Sequence, residues 1–311
     1  MSTRPSRIHF LINPASGQEE PILAPINRRL SDTSIAWEVT VLKPDQEASA
    51  VDAALAETPD LLVVYGGDGT VANVATRMLE RQSAIPLCPL HGGTANALAA
   101  HLSVPRELDD ALVALCSAQH EVFAIDVGVA RRRAFLLRLS IGFAADLTKH
   151  ASRDQKGSFG IFAYALSALQ AVRDVKQQEY RLTVDGVTTS HSAIACIVAN
   201  AAGTGLSRPL ASDLDESDAE LDALLVPDMS WVARALANAA SGAGLMDGAP
   251  RRSGVRLRVE CDEPMPIHVD GELIGSTPVD VEVRHRALRL VRFGPHSAAA
   301  GNGETHQNAA M

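Results

Sequence analysis

The chain carries two kinds of residue with chemistry in them: glycine-rich turns that expose backbone amides, and one acidic pair far downstream. "LLVVYGGDGTVANVA" (61–75) sets strand-forming aliphatics directly before Gly66, Gly67, Asp68, Gly69 and Thr70, then resumes apolar residues at helical spacing. Glycines there permit close backbone approach, amides at a helix N-terminus attract phosphate, and Asp68 and Thr70 can orient a metal-bound water or a phosphate oxygen. A tight turn without a ligand is the plain alternative. "GDGTVA" fits the dinucleotide pattern G-x-G-x-x-G/A, but the acid that would bind a ribose hydroxyl about 20 residues on is missing; that region reads "AIPLCPLHGG". The pattern G-x-x-x-x-G-K-[ST] is absent too, which argues against a Walker-type ATPase. The acidic pair is Asp270 and Glu272 in "IHVDGELIG". A bare D-G is ordinarily a hairpin turn, as expected of "VDGVTTS" at 184–190.

The elements that must position these residues follow from periodicity. "RIHFLI", "AWEVTVL", "DLLVVY" and "IPLCPL" read as strands, alternating with helical stretches such as "PILAPINRRL" and "EASAVDAALAE". Val71, Val74, Ala75, Met78 and Leu79 fall on one face of a helix. Strands alternating with helices imply a parallel sheet covered on both faces, with ligands bound beyond the carboxyl ends of the strands. "NPASG" (13–17), "GGDGT" (66–70) and "GGTAN" (92–96) all sit at such ends. After about residue 120 the pattern changes to short alternating strands with Gly, Pro and Asp turns, interrupted by one helix around "FGIFAYALSALQAV". This predicts an α/β nucleotide-binding domain over 1–125, a β-sandwich over 126–295 and a disordered tail over 296–311. "SAIACIVAN" reads as a single strand of that sandwich.

Composition excludes some classes of function. A net charge of -9 argues against a general nucleic-acid binder, which needs a basic surface to release phosphate counterions. Cys88, Cys116, Cys196 and Cys261 lack CxxC spacing, which disfavours zinc and a disulfide framework. No stretch approaches the ~18 apolar residues of a membrane span, and "MSTRPSRIHF" enters a strand without a signal peptide, so the expected compartment is the cytoplasm.

Taken together, the three turns resemble the nucleotide-binding motifs of the diacylglycerol kinase catalytic-domain family, which includes bacterial soluble lipid kinases and sphingosine and ceramide kinases. "IGFAAD", "GIFAYALSALQ", "IVANAAGTG", "DAELDALLVP" and "VDGE" resemble the family's later landmarks in order. The resemblance implies a Rossmann-like doubly wound domain followed by a β-sandwich, as in NAD kinases and diacylglycerol kinases. It implies transfer of the γ-phosphoryl group of ATP, with Mg2+, to a lipid hydroxyl. Asn13, Pro14, Ala15, Ser16, Gly17, Thr40, Gly66, Gly67, Asp68, Gly69, Thr70, Val71, Ala72 and Thr94 would contact ATP. Thr40 is otherwise an ordinary strand threonine, Asn13 a turn cap and Thr94 a helix N-cap. By the same resemblance Glu272 is the general base and Asp270 its partner, Asp126 helps hold the catalytic Mg2+ through water, and Asp218, flanked by Asp215 and Glu220, holds a structural Mg2+. The plain alternative for the acids is a solvated strand end or loop.

This chain departs from the family pattern where "GGDGTxNE" becomes "GGDGTVAN", with Ala72 and Asn73, where "GTxND" becomes "GTANA", with Ala97, and where the glycine after the metal-holding aspartate is Ala219. A lipid acceptor implies transient contact with a membrane surface. "RRRAFLLRLS", "RRSGVRLRVE" and "RHRALRLVRF" offer arginines for anionic headgroups, or else form solvated outer strand faces. The rival readings are an NAD kinase-like enzyme and a catalytically silent nucleotide- or lipid-binding regulator. A homodimer stays open.

Overall fold

The computed structural model describes residues 4–16, 22–142, 176–203, 210–240 and 243–294. Gly17, the helix expected around 159–172 and the tail from 296 lie outside them. The first half alternates β1 (Arg7–Ile12), α1 (Leu23–Leu30), β2 (Ala36–Val41), α2 (Glu47–Ala56), β3 (Leu61–Gly66), α3 (Asp68–Glu80), β4 (Leu87–His91), α4 (Ala97–His101) and α5 (Leu108–Cys116). Its strands pair in parallel in the order β2-β1-β3-β4. β3 is buried along its whole length, which is why it is uniformly aliphatic, whereas β2 lies at the edge and alternates. On α3, Val71, Val74, Ala75 and Met78 are buried as their spacing predicts, and Leu79 packs against the same core.

The second half holds β5 (Glu121–Ala130), β6 (Arg133–Phe135), β7 (Arg138–Gly142), β8 (Gln178–Val184), β9 (Val187–Ala193), β10 (Ala195–Ala199), β11 (Leu221–Val226), α6 (Met229–Ala240), β12 (Arg251–Gly254), β13 (Arg256–Cys261), β14 (Pro266–Val269), β15 (Glu272–Ser276) and β16 (Val279–Arg292). Six of these strands make an antiparallel sheet in the order β12-β11-β10-β7-β14-β15. It packs on β13, β8 and β16 of the other sheet through Leu139, Ile141, Tyr180, Leu182, Val198 and Val259 among others. That is the β-sandwich the alternating pattern predicts.

Two features were not legible in the pattern. "SAIACIVAN" is two strands in different sheets, β9 and β10, with Ile194 at the corner donating its amide to the Val226 carbonyl. Its unbroken apolar run serves two cores, Ile194 and Ile197 in one and Cys196 and Val198 in the other. The second feature is β16, which pairs with β13 and β5 in the sandwich and with β4, through Leu290 and Leu87, in the α/β half. One ten-stranded sheet therefore runs through the whole molecule.

Candidate active site

The three glycine turns converge at the carboxyl ends of β1, β3 and β4. Asn13 closes its own turn by accepting the Ala15 amide at 3.0 Å, and its Nδ2 donates to the Thr70 hydroxyl at 2.7 Å, so "NPAS" is fastened to "GGDGT". Gly92 and Gly93 lie against Gly66 and Gly67. A Cβ on Gly93 would stand 2.3 Å from the Gly67 Cα, and one on Gly92 would stand 2.5 Å from the Gly66 nitrogen. Backbone approach at that distance admits no side chain at Gly92 or Gly93, and a Cβ on Gly66 would stand 2.7 Å from the Thr70 Cβ. Asn96, left-handed at φ 50°, braces the second turn by bonding both the amide and the carbonyl of Gly93. It, and not Thr94, stands at the start of α4; Thr94 is exposed beside it.

Asp68 opens α3 and accepts the Leu98 amide at 3.2 Å. Burial pushes its carboxyl up, against the pull of the amides of Ala97, Leu98 and Asn96. The first-turn amides of a helix have no acceptor within it, so the N-terminus of α3 presents N–H groups and the positive end of its dipole at the point where the turns meet. Val71 and Ala72 are buried inside that helix, supporting the turn from behind. Thr40 stands near the carboxyl end of edge strand β2, beside Leu11 of β1, and its hydroxyl pairs with His9 Nε2 at 2.8 Å.

The acid from the second half arrives here. Asp270 and Gly271 form the two-residue turn between β14 and β15, with φ 44° and 97°, so the D-G pair is a hairpin and also carries the candidate base. A Cβ on Gly69 would stand 1.8 Å from the Glu272 Oε1, so the carboxylate lies directly on the backbone of the first turn of α3. Arg133 donates to Glu272 at 2.7 Å and to the Asn73 side-chain oxygen at 2.7 Å, while Asn73 donates to Glu47 at 3.0 Å. Asn73, which replaces an acid of the family motif, thus holds the arginine that holds the glutamate.

Asp270 faces backwards. Its two oxygens accept the amides of Leu136, Leu137 and Arg138 at 2.8, 3.1 and 2.9 Å, fixing the start of β7. Burial pushes its carboxyl up to about 6, opposed by those amides and by the Arg138 guanidinium. The same guanidinium sits in the field of both Asp270 and Asp68, and burial pushes it down. Its anchor is the Gly203 carbonyl at 2.9 Å. Arg133 and Arg138 belong to a run read from sequence as headgroup-facing or solvated; Arg133 is about a third exposed and turned onto Glu272, and Arg138 is turned inward onto the Gly203 carbonyl. The signal available was "FLLRLS", an arginine enclosed by aliphatics on either side.

Asp126 is fully buried and saturated with N–H donors. Oδ1 takes Arg286 N at 2.6 Å and His285 Nδ1 at 2.9 Å, and Oδ2 takes Ala219 N at 2.6 Å. An N–H donor on each oxygen makes Asp126 a carboxylate clamp; the resemblance gives it a role toward Mg2+ only through water. The structure therefore joins Asp126 to the acidic run 213–220, two places the sequence treats separately. Within that run Asp215 closes on Ser217 and Asp218 on the Glu220 amide. Glu216 reaches across to His101 at 3.0 Å, and to Arg292, tying the run to the end of α4. Among the described residues no three His, Cys, Asp or Glu side chains converge as a metal shell.

Beside Gly92 and Gly93 lies a hollow of about 150 Å³, lined also by Tyr65, His91 and Arg106. A larger one, about 670 Å³, opens at the opposite ends of the strands near Ser6 and Pro86, and no predicted site residue lines it. No helix among the described residues is long and apolar enough to cross a membrane.

With this geometry in place, comparison with known proteins gives one direction. Residues 7–130 match the model of the diacylglycerol kinase catalytic domain, and residues 138–292 match that of the YegS C-terminal NAD kinase beta sandwich-like domain. An uncharacterized protein of Synechocystis is 27% identical over 92% of this chain and 70% of its own length. A Staphylococcus aureus protein named "putative lipid kinase" is 26% identical over 90% of this chain and 92% of its own. Among solved structures, one described as a diacylglycerol kinase from Bacillus anthracis superposes with a TM-score of 0.74 at 21% identity, covering 93% of this chain and 98% of that one. Another from the same organism reaches 0.77 at 21% identity, with the same coverage. These two establish the shared fold.

Proposed function

Because this chain belongs to the diacylglycerol kinase catalytic-domain family, we propose that it transfers the γ-phosphoryl group of ATP to the hydroxyl of a lipid alcohol of the diacylglycerol class. The observation that carries this reading is the Glu272 carboxylate resting on Gly69, at the helix N-terminus where the three glycine turns meet. A base and a phosphate cradle in contact, supplied from opposite ends of the chain, are what in-line transfer to a hydroxyl requires.

The residues divide the work. The amides of the first turn of α3 hold the nucleotide's terminal phosphates, with Gly66, Gly67, Gly92 and Gly93 leaving room for them. Asn13 and Thr70 lock two turns into one wall. Glu272 takes the proton of the acceptor hydroxyl. Arg133, 34% exposed and already on Glu272, orients that carboxylate and adds positive charge beside the group in flight. Asp270 and Arg138 hold the strands behind the base. Asp68, a buried carboxylate at the head of α3 with its Oδ1 on the Leu98 amide, would be the group to hold Mg2+, which would supply positive charge against the phosphates.

The test is incubation with γ-labelled ATP, Mg2+, a panel of lipid alcohols and NAD. Label on a lipid is expected. Label on NAD and on no lipid would overturn the reading in favour of an NAD kinase-like enzyme; measurable ATP binding with no transfer would favour a silent regulator.

A further inference from the structure

β5 and β6 are joined by a turn of two arginines. Ala130 pairs with Arg133, so Arg131 and Arg132 alone make the connection, with φ 49° and 66°. A two-residue turn with both φ positive ordinarily takes Asn-Gly, because a side chain in the left-handed region costs about 1–2 kcal/mol. Strain kept at a solvent-exposed tip points to use of the side chains there.

The tip borders a basic hollow of about 450 Å³ on the sandwich face, lined by Arg131, Arg132, Arg256, Arg258 and Arg284 against Asp280 and Glu282, with Asp185 at its edge on the Val255 and Arg256 amides. Both acids are already engaged, Asp280 by Arg258 and Glu282 by Arg284. Arg131 lies across Gly275 and donates only to the Ser276 and Pro278 carbonyls, so its charge meets no acid among the described residues. The guanidinium groups of Arg132 and Arg256 have no hydrogen-bond or ion-pair partner among them. In a chain of net charge -9 this is a local reversal of sign. Two large apolar side chains stand at its rim, Val187 beside Gly186, 63% exposed, and Val255 beside Arg256, 46% exposed. Unpaired arginines with exposed aliphatics between them suit a surface with anionic headgroups over acyl chains.

We infer that the face formed by the Arg131-Arg132 turn, Arg256, Val187 and Val255 is where this protein docks on an anionic phospholipid bilayer. The inference deepens the lipid-kinase reading and rests on it for its purpose. Arg133, next in the chain to this turn, is the residue that holds Glu272, so docking sets the mouth of the site against the bilayer.

The experiment is co-sedimentation of the full chain, without ATP, on vesicles of phosphatidylcholine alone and of phosphatidylcholine with phosphatidylglycerol. Binding is expected only to the second kind, and is expected to fall at least about tenfold in the Arg132→Glu, Arg256→Glu double variant. Arg252→Glu, the same charge change on β12 of the other sheet, leaves it unchanged. Arg132→Gly keeps the turn, raises the melting temperature by relieving strain, and still weakens binding severalfold. Glu272→Gln binds vesicles as the parent does, so a failure of the kinase reading leaves this result standing. Equal binding to neutral vesicles, undiminished binding by the double variant, displacement by millimolar glycerol phosphate, or tighter binding to an RNA oligonucleotide than to anionic vesicles would each overturn the inference.

Discussion

The molecule contains the same hairpin twice. Asp185-Gly186 joins β8 to β9 and Asp270-Gly271 joins β14 to β15, with aspartate φ of 47° and 44° and glycine φ of 86° and 97°. Each aspartate donates its own amide to the carbonyl at the start of a neighbouring strand, Arg256 or Arg138, at 3.0 Å. Each also accepts amides from that strand with its carboxylate, Asp185 from Val255 and Arg256, Asp270 from Leu136, Leu137 and Arg138. Locally the two are one device for clamping a strand. What differs is the residue that follows and where it is delivered: Val187 to the surface, Glu272 to the N-terminus of α3. Turn chemistry fixes the hairpin, and tertiary placement makes one of the pair an active-site candidate.

The comparison can be broken by substitution. The largest effect is expected at the delivered residue: Glu272→Ala should lower phosphoryl transfer by about 10²–10⁴ while leaving ATP binding measurable by calorimetry, whereas Val187→Ala should change turnover on a detergent-dispersed acceptor, where no bilayer is docked, less than twofold. Gly69→Ala comes next, because its methyl group would occupy the Glu272 carboxylate position. Turnover should fall more than tenfold with little change in melting temperature. The equivalent change across the comparison, Gly186→Ala, has open space but positive φ, and should cost about 1 kcal/mol of stability and no activity.

A third prediction separates the two aspartates themselves. Asp270→Asn and Asp185→Asn should each destabilise by about 1–3 kcal/mol through weakened amide bonds, but only the first should slow transfer. Equal loss of transfer in both would show that the tertiary setting is not what matters. The Asp270 carboxyl is raised from an ordinary 3.8 to about 6, so the native state holds the extra proton between those values. Its contribution is therefore full below pH ~4 and is lost as pH rises to ~6. The melting-temperature difference between wild type and Asp270→Asn should shift against the wild type over that interval.

The smallest effect concerns another left-handed position, Ala219 at φ 70°, where the family pattern has glycine. Ala219→Gly should stabilise by about 0.5 kcal/mol, strain relief exceeding the added chain entropy, and should leave the Asp126 clamp intact. Thermal melts would register it.

What was legible divides along the same line. Gly92 and Gly93 encode a close approach that no other residue permits, so the meeting of the turns at the strand ends was legible. The two D-G hairpins could be read as turns. The bonds of Arg133 to Glu272 and of Arg138 to Gly203 were not legible, because strand alternation gives the face of a residue and not what lies across from that face. Asp126 and Ala219 are far apart in the chain, and nothing local in either segment announces that they bond. The family resemblance supplied Glu272 where local pattern gave only a turn, and it named Asp126 without the clamp on Ala219, His285 and Arg286 that the structure adds.

β16 carries a last consequence, for how the chain is made. The strand that completes the α/β sheet beside β4 is the last strand described, and Leu290 must find Leu87 across some 200 residues of intervening chain. A ribosome that has released the glycine turns has not yet released the strand that finishes their sheet. Contacts of such sequence separation slow folding, so the candidate site should mature only after β16 has emerged, and residues 1–130 expressed alone should fail to fold cooperatively.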